Sequence, residues 1–169
     1  TYTVLTVAYS AWLRHVAIAD IVVIAALFVI RAAAGGVAAG IPISRWFFVV
    51  VSFSALFVAA GKRYADFLGL GSRQSRKVLA EYNADFLRMA IGTAAAVALT
   101  GYCLWAFQGP ITADGTWREA TVIPFTVALL RYGLLLTGGQ GAAPEDILAG
   151  DRFMQCTAVA WILTFLLAL

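Results

Sequence analysis

Lys62, Arg63, Tyr64 and Asp66 fall within five consecutive positions of a chain otherwise poor in charge. Cations beside a carboxylate suit a phosphorylated substrate handled with a divalent metal. Lysine and arginine neutralise phosphate oxygens, arginine through a planar fork of donors. A carboxylate holds Mg²⁺, which keeps most of its waters and bridges to phosphate. The same residue types continue through Arg73, Arg76, Lys77, Glu81, Asp85 and Arg88. Glu81 and Asp85 are four apart, so on a helix both carboxylates point the same way. The plainer reading is a basic loop that only fixes the orientation of the chain in a membrane. Composition and spacing leave both open.

Asp20 and Arg31 are the other residues out of place, because they interrupt an apolar run. A charge at the centre of a bilayer costs about 2.5–3.5 kcal/mol on insertion scales. Eleven residues is close to three helical turns, so the two share a face, with Arg31 roughly 16 Å deeper. That face should look into the bundle, as a polar stripe lining a substrate chamber or as two structural residues satisfied by other helices. Gly35 and Gly36 follow, and small residues suit close helix packing.

Several chemistries are missing from the sequence. His15 is the single histidine, so neither a histidine metal cluster nor a Ser-His-Asp triad can be assembled. No phosphate-binding P-loop or dinucleotide glycine fingerprint occurs. Cys103 and Cys156 lie inside apolar runs and read as buried thiols. Trp12, Trp46, Phe47, Trp105 and Trp117 sit near span ends, as an interfacial aromatic belt requires.

The elements that must position these residues follow from composition. The 169 residues are 62% apolar and 12% charged, against roughly 25% charged in an average soluble domain. Mean hydropathy is +0.87. A water-soluble fold of this size could not hide so much apolar surface, and disorder, collagen and a disulfide scaffold are excluded too. The fold class expected is all-α, a polytopic transmembrane helical bundle. A bilayer-crossing helix needs about 20 mostly apolar residues. Segments 17–39, 44–61, 86–108, 120–137 and 152–169 meet or approach that length, and 1–13 reads as the end of a further span. Residues 62–85 read as a long polar loop, with Gly69, Gly71 and Ser72 in a turn and a helix over 75–88 whose apolar face carries Val78, Leu79, Tyr82 and Phe86. Segments 109–119 and 138–151 read as Gly-rich loops. With the 62–85 loop in the cytoplasm, nine of the 12 Lys and Arg residues lie on or near that side, Arg45 and Arg118 lie opposite, and Arg31 is within a span. The positive-inside rule selects that orientation. The chain starts at Thr1 inside an apolar stretch, without a signal-peptide pattern, and is expected to be the carboxy-terminal portion of a longer polytopic protein.

The run Y-S-x-x-L-R-H-x-x-x-x-D from Tyr9 to Asp20, followed by F-V-I-R from Phe28 to Arg31, resembles the middle of the UbiA-type intramembrane prenyltransferases. The runs I-R-A-A-A-G-G-V-A, I-P-I-S-R-W-F, V-A-A-G-K-R-Y-A-D, I-P-F-T-V-A-L-L-R-Y and P-E-D-I most resemble the phosphoribosyltransferase branch of that superfamily. Ordinary members carry a more acidic second motif where this chain has G-K-R-Y-A-D. The similarity covers nearly the whole chain and keeps its order.

The resemblance implies a nine-helix bundle with a cytoplasm-facing cavity in the cell membrane, of which this chain supplies the end of helix four through helix nine. The implied reaction moves 5-phosphoribosyl from phosphoribosyl diphosphate to polyprenyl (decaprenyl) phosphate, with Mg²⁺ as cofactor, making a lipid-linked precursor of cell-wall arabinan. By motif position, Lys62, Arg63 and Tyr64 would contact donor phosphates. Asp66 would bind a metal ion or position the ribose, and Lys62 and Asp66 would be the catalytic pair. Tyr9 and Arg14 would line the cytoplasmic mouth. Tyr82 and Glu81 stand behind these, and Asp20 and Arg31 behind them. The partners implied are the two substrates and the lipid bilayer, with no nucleic acid; a homo-oligomer is left open. The first Asn/Asp-rich Mg²⁺ motif of the superfamily has no counterpart here, so the chain alone is expected to be inactive. The alternatives are a UbiA-type prenyltransferase acting on an aromatic acceptor, or a non-catalytic membrane scaffold or transport fragment.

Overall fold

The computed structural model describes residue 16 and residues 18–40, 43–69, 82–108, 113–137 and 144–168. Among them the chain is all helix and turn. The order is α1 (Ala19–Ala38), α2 (Arg45–Phe67), α3 (Ala84–Ala106), α4 (Ala113–Ala120), α5 (Val122–Thr137), α6 (Pro144–Gly150) and α7 (Arg152–Leu166). Four stretches, Ala19–Ala38, Arg45–Phe67, Ala84–Ala106 and Gly115–Thr137, are long and apolar enough to cross a membrane. The expected partial span 1–13 lies outside the described residues.

Local chemistry sets the helix ends. Ser44 accepts a hydrogen bond from the Phe47 amide at 3.1 Å, Asn83 from Phe86 at 2.6 Å and Asp151 from Met154 at 2.7 Å. Each side chain satisfies an amide that the first turn leaves without an intrahelical partner. Gly40, at φ +68°, provides the left-handed step after α1. At the far end of α3, Arg118 of α4 donates from Nε to the Ala106 carbonyl at 2.9 Å, meeting one of the last carbonyls of that helix.

α2 is the central helix. It packs most extensively against α3 and next against α1, while α5 pairs with α7 and touches α2 and α3. Two glycines permit this closeness. A Cβ on Gly61 would lie 2.6 Å from Leu136 Cδ1, and one on Gly101 would lie 2.9 Å from Val49 Cγ1. One core cluster joins Ile21, Ala59, Ala60, Tyr64, Tyr82 and Leu87; a second joins Phe57, Ala94, Tyr132, Leu135, Leu136, Ile147 and Met154. Large apolar side chains such as Phe28, Met89, Leu130, Leu134 and Leu163 remain on the outside. That is the surface a bilayer covers.

The structure redraws several boundaries read from the sequence. α2 runs on to Phe67, so Lys62 to Asp66 are helical and not the start of a loop. The charged residues do not end the helix because Arg63 and Asp66 pair with each other. The helix expected over 75–88 does not pass through Tyr82 and Asn83, since Asn83 caps α3 from a β-region conformation; residues 70–81 lie outside the described residues. Short helices α4 and α6 occupy parts of the two Gly-rich connections. Cys103 is half-buried and Cys156 exposed, both as free thiols. Cys156 looks outward on α7, which packs on α5, α4 and α6 and reaches α3 through Trp161 and Phe165.

Candidate functional site

Arg63, Asp66 and Asp20 meet where the end of α2 lies against the start of α1. Arg63 donates from Nη2 to Asp20 Oδ1 at 2.9 Å and from Nε to Asp20 Oδ2, a two-pronged clasp between helices 43 residues apart in sequence. From Nη1 it donates to Asp66 Oδ2 at 2.8 Å, one turn along its own helix. Asp20 is fully buried, with a side-chain exposure of 1%; Asp66 is at 5% and Arg63 at 12%. Three ionised groups in so dry a place are tolerable only when paired and hydrogen-bonded.

Tyr64 and Tyr82 form the floor around it. Tyr64 is 2% exposed, and its hydroxyl accepts from Arg88 Nε at 3.1 Å. The Arg88 guanidinium also lies 5.5 Å from the Tyr64 ring centroid, a cation–π geometry. Tyr82 is buried, stacks on Phe86 and accepts at its hydroxyl from the Ile18 amide at 2.7 Å. That bond anchors the entry to α1, where Ile18 adopts φ 68°, a strained conformation for a β-branched residue. The strain sits two residues before Asp20.

Of the residues singled out in the sequence, the structure brings together Arg63, Tyr64, Asp66, Tyr82 and Asp20. Lys62 is exposed at the same end of α2. Tyr9, Arg14 and Glu81 lie outside the described residues. Asp85 is at the surface, 3.4 Å from Arg88. Arg31 does not share the interior with Asp20. The buried residues of α1 lie in its first half, from Asp20 to Ala25, while Arg31 is exposed further along. There its guanidinium sits 5.8 Å from the Phe28 ring centroid.

Arg88 is the residue that sequence reasoning used only for counting sides. Its contact with Tyr64 needs α3 to lie along α2, which no local pattern announces.

No group of three or more His, Cys, Asp or Glu residues comes together among the described residues. A magnesium ion that keeps its waters needs only one or two carboxylates plus substrate phosphates. Asp66, a single carboxylate at the end of the buried group, fits that limited demand and no larger one.

The other end of the bundle is different in kind. A cavity of about 560 Å³ is lined by Trp46, Phe47, Trp105, Phe125, Trp161 and Phe165, among other residues. Sixteen residues of α2 separate Phe47 from Arg63, roughly 24 Å at the helical rise. Within its wall, Trp161 Nε1 donates to the Tyr102 hydroxyl at 2.8 Å, and that hydroxyl donates to Thr121 Oγ1 at 2.8 Å. Beside the membrane end of α5, Arg131 clasps Asp151 at 2.6 Å and 3.3 Å. The guanidinium donating to it holds the Asp151 carboxyl below the usual carboxylate range, helped by the Met154 amide.

Apolar helices able to cross a bilayer several times, closed at one end by buried charge, define a multi-pass membrane protein of the all-α class. Comparison with known proteins narrows this. The chain is 42% identical over 166 residues to decaprenyl-phosphate phosphoribosyltransferase of Mycobacterium tuberculosis, covering 96% of this chain and 54% of that protein. It is 41% identical over 172 residues to the protein of the same name in Mycolicibacterium smegmatis, covering 95% and 54%. With that of Corynebacterium glutamicum it shares 38% over 172 residues, covering 99% and 52%. No protein-family model matches the chain. By sequence, the chain is a relative of the decaprenyl-phosphate phosphoribosyltransferases. It spans about half the length of the curated relatives it matches.

Proposed function

We infer that the whole protein transfers a 5-phosphoribosyl group from phosphoribosyl diphosphate to decaprenyl phosphate or a similar polyprenyl phosphate. The observation that carries this reading is the end of α2, where Arg63 is held between Asp20 and Asp66 at one end of an apolar bundle. The names of the relatives supply the acceptor and the transferred group. The basic excess at this end supports a cytoplasmic active face and a plasma-membrane location.

The chemistry asks little of the protein beyond placement and charge. The acceptor phosphate is already anionic, so its oxygen attacks the anomeric carbon without a base, and the bond from that carbon to the diphosphate oxygen breaks. The transition state is oxocarbenium-like, with negative charge growing on the leaving diphosphate. Rate enhancement then comes from orientation and from fixed cations at the leaving group. Arg63, held on its Nε side by Asp20, would turn its Nη1 edge to the donor phosphates, and exposed Lys62 would add a movable charge at their edge. Tyr64, steadied by Arg88, presents a hydroxyl at the same level. Asp66 is the carboxylate placed to hold Mg²⁺ or a ribose hydroxyl. Mg²⁺ bound there would neutralise diphosphate charge. The product, a lipid-linked pentose phosphate, suits a pathway that builds cell-wall arabinan.

The test is transfer of radiolabel from phosphoribosyl diphosphate to polyprenyl phosphate in membranes carrying the full-length protein. Transfer is expected in the wild type and lost in Lys62→Ala and Asp66→Ala at unchanged protein level. Wild-type turnover in both variants removes the site assignment, and no transfer in the wild type removes the function.

A further inference from the structure

We propose that Asp20 is the positioning residue of this site: it fixes the plane of the Arg63 guanidinium so that the Nη1 edge faces Asp66 and the incoming donor phosphates. The inference rests on the functional reading above. Asp20 has no place in the G-K-R-Y-A-D run and lies on a different helix.

The geometry is specific. The Asp20 carboxylate takes Nε and Nη2 together, the side-on pairing that sets both the position and the rotation of a guanidinium. The Nη1 edge is turned along α2 toward Asp66, one turn on. A single hydrogen bond would let the fork swivel, whereas two parallel bonds do not. Asp20 is itself held. It stands in the first turn of α1, its neighbour Ile21 belongs to the same core cluster as Tyr64 and Tyr82, and the Tyr82 hydroxyl ties down the Ile18 amide two residues earlier. The chain accepts a positive φ at Ile18 immediately before it. A carboxylate at 1% side-chain exposure, clasping an arginine at 12%, acts on the donor through that arginine and not by touching substrate.

A positioning role has a signature that a purely structural role lacks. Misplacing a binding group by about 1 Å costs up to a hundredfold in rate. Asp20→Asn keeps the shape of the side chain but offers one acceptor where there were two. In the full-length protein, the KM for phosphoribosyl diphosphate is expected to rise about tenfold or more, while the KM for polyprenyl phosphate stays at the wild-type value. In an Arg63→Lys background there is no fork to orient, so adding Asp20→Asn should change the donor KM less than twofold. Asp20→Glu, which keeps the charge but displaces it by one methylene, should raise the donor KM as well. It serves as the second variant if Asp20→Asn does not accumulate.

Equal donor KM in Asp20→Asn, Asp20→Glu and wild type overturns the proposal while leaving the function intact. So does an equal penalty from Asp20→Asn in the wild-type and Arg63→Lys backgrounds, because the residue would then act on stability alone. A wild-type protein with no transfer from phosphoribosyl diphosphate overturns the functional reading, and the proposal with it.

Discussion

Replacing Arg63 by methionine removes the cation that bridges Asp20 and Asp66 and keeps most of the side-chain volume. Asp20 and Asp66 then both lose that partner in a low-dielectric setting, with side-chain exposures of 1% and 5%. Breaking a buried pair by removing one partner typically costs about 3–5 kcal/mol, because the remaining charge is uncompensated. With two carboxylates involved, the upper half of that range is expected for Arg63→Met. The triple variant Asp20→Asn/Arg63→Met/Asp66→Asn keeps the shape and removes all three charges, and buried ion pairs replaced by neutral groups of similar volume are often close to neutral in stability. The triple variant is therefore expected to recover to within about 1 kcal/mol of the wild type. Equilibrium unfolding of the purified full-length protein in detergent micelles measures both. If Arg63→Met loses less than about 1 kcal/mol, or the triple variant is no more stable than the single one, the buried clasp is not holding α1 to α2.

Three further perturbations probe other parts of the structure. Gly61→Ala places a Cβ 2.6 Å from Leu136 Cδ1; overpacking of this kind costs about 1–3 kcal/mol, and combining it with Leu136→Ala should cost clearly less than the sum of the two singles in a thermal-unfolding cycle. Asp151 has a depressed carboxyl in the folded protein, so its contribution is full above the unfolded carboxylate range near pH 4 and is lost as pH falls through the lower folded value. Asp151→Asn should flatten that acid limb of Tm against pH, and an unchanged limb would assign it to other groups. Tyr102→Phe deprives Trp161 Nε1 of its acceptor, and an unsatisfied buried donor should lower stability by about 1–3 kcal/mol, read as a fall in Tm.

The bundle was legible because its signal is local. A run of about 20 apolar residues can hardly be anything else, and Ala19–Ala38 and Ala84–Ala106 lie close to where hydropathy puts spans. Helix ends were less legible where charges pair. Lys62 to Asp66 look like the exit from a membrane by residue type alone, yet Arg63 and Asp66 continue α2 because each meets a partner. The G-K-R-Y-A-D run drew attention to Arg63, Tyr64 and Asp66, while its long-range partners stayed hidden. Asp20 and Arg31 looked equivalent by helical phase, and only the course of α1 separates them: one meets Arg63, the other lies beyond the buried half of the helix. Arg88 reaches Tyr64 from another helix, a contact set by packing and not by spacing. For Cys156, the apolar run was a true signal of membrane and a poor guide to depth within the protein, since a lipid-facing side of a helix is as apolar as its core-facing side.

The most direct measurement is a structure of the full-length protein with phosphoribosyl diphosphate bound. The account requires donor phosphate oxygens within hydrogen-bond distance of Arg63, with Lys62 turned toward them and Asp20 still clasping the guanidinium from behind. Phosphates bound elsewhere, with Arg63 closed on Asp20 and Asp66 as it is here, would contradict it.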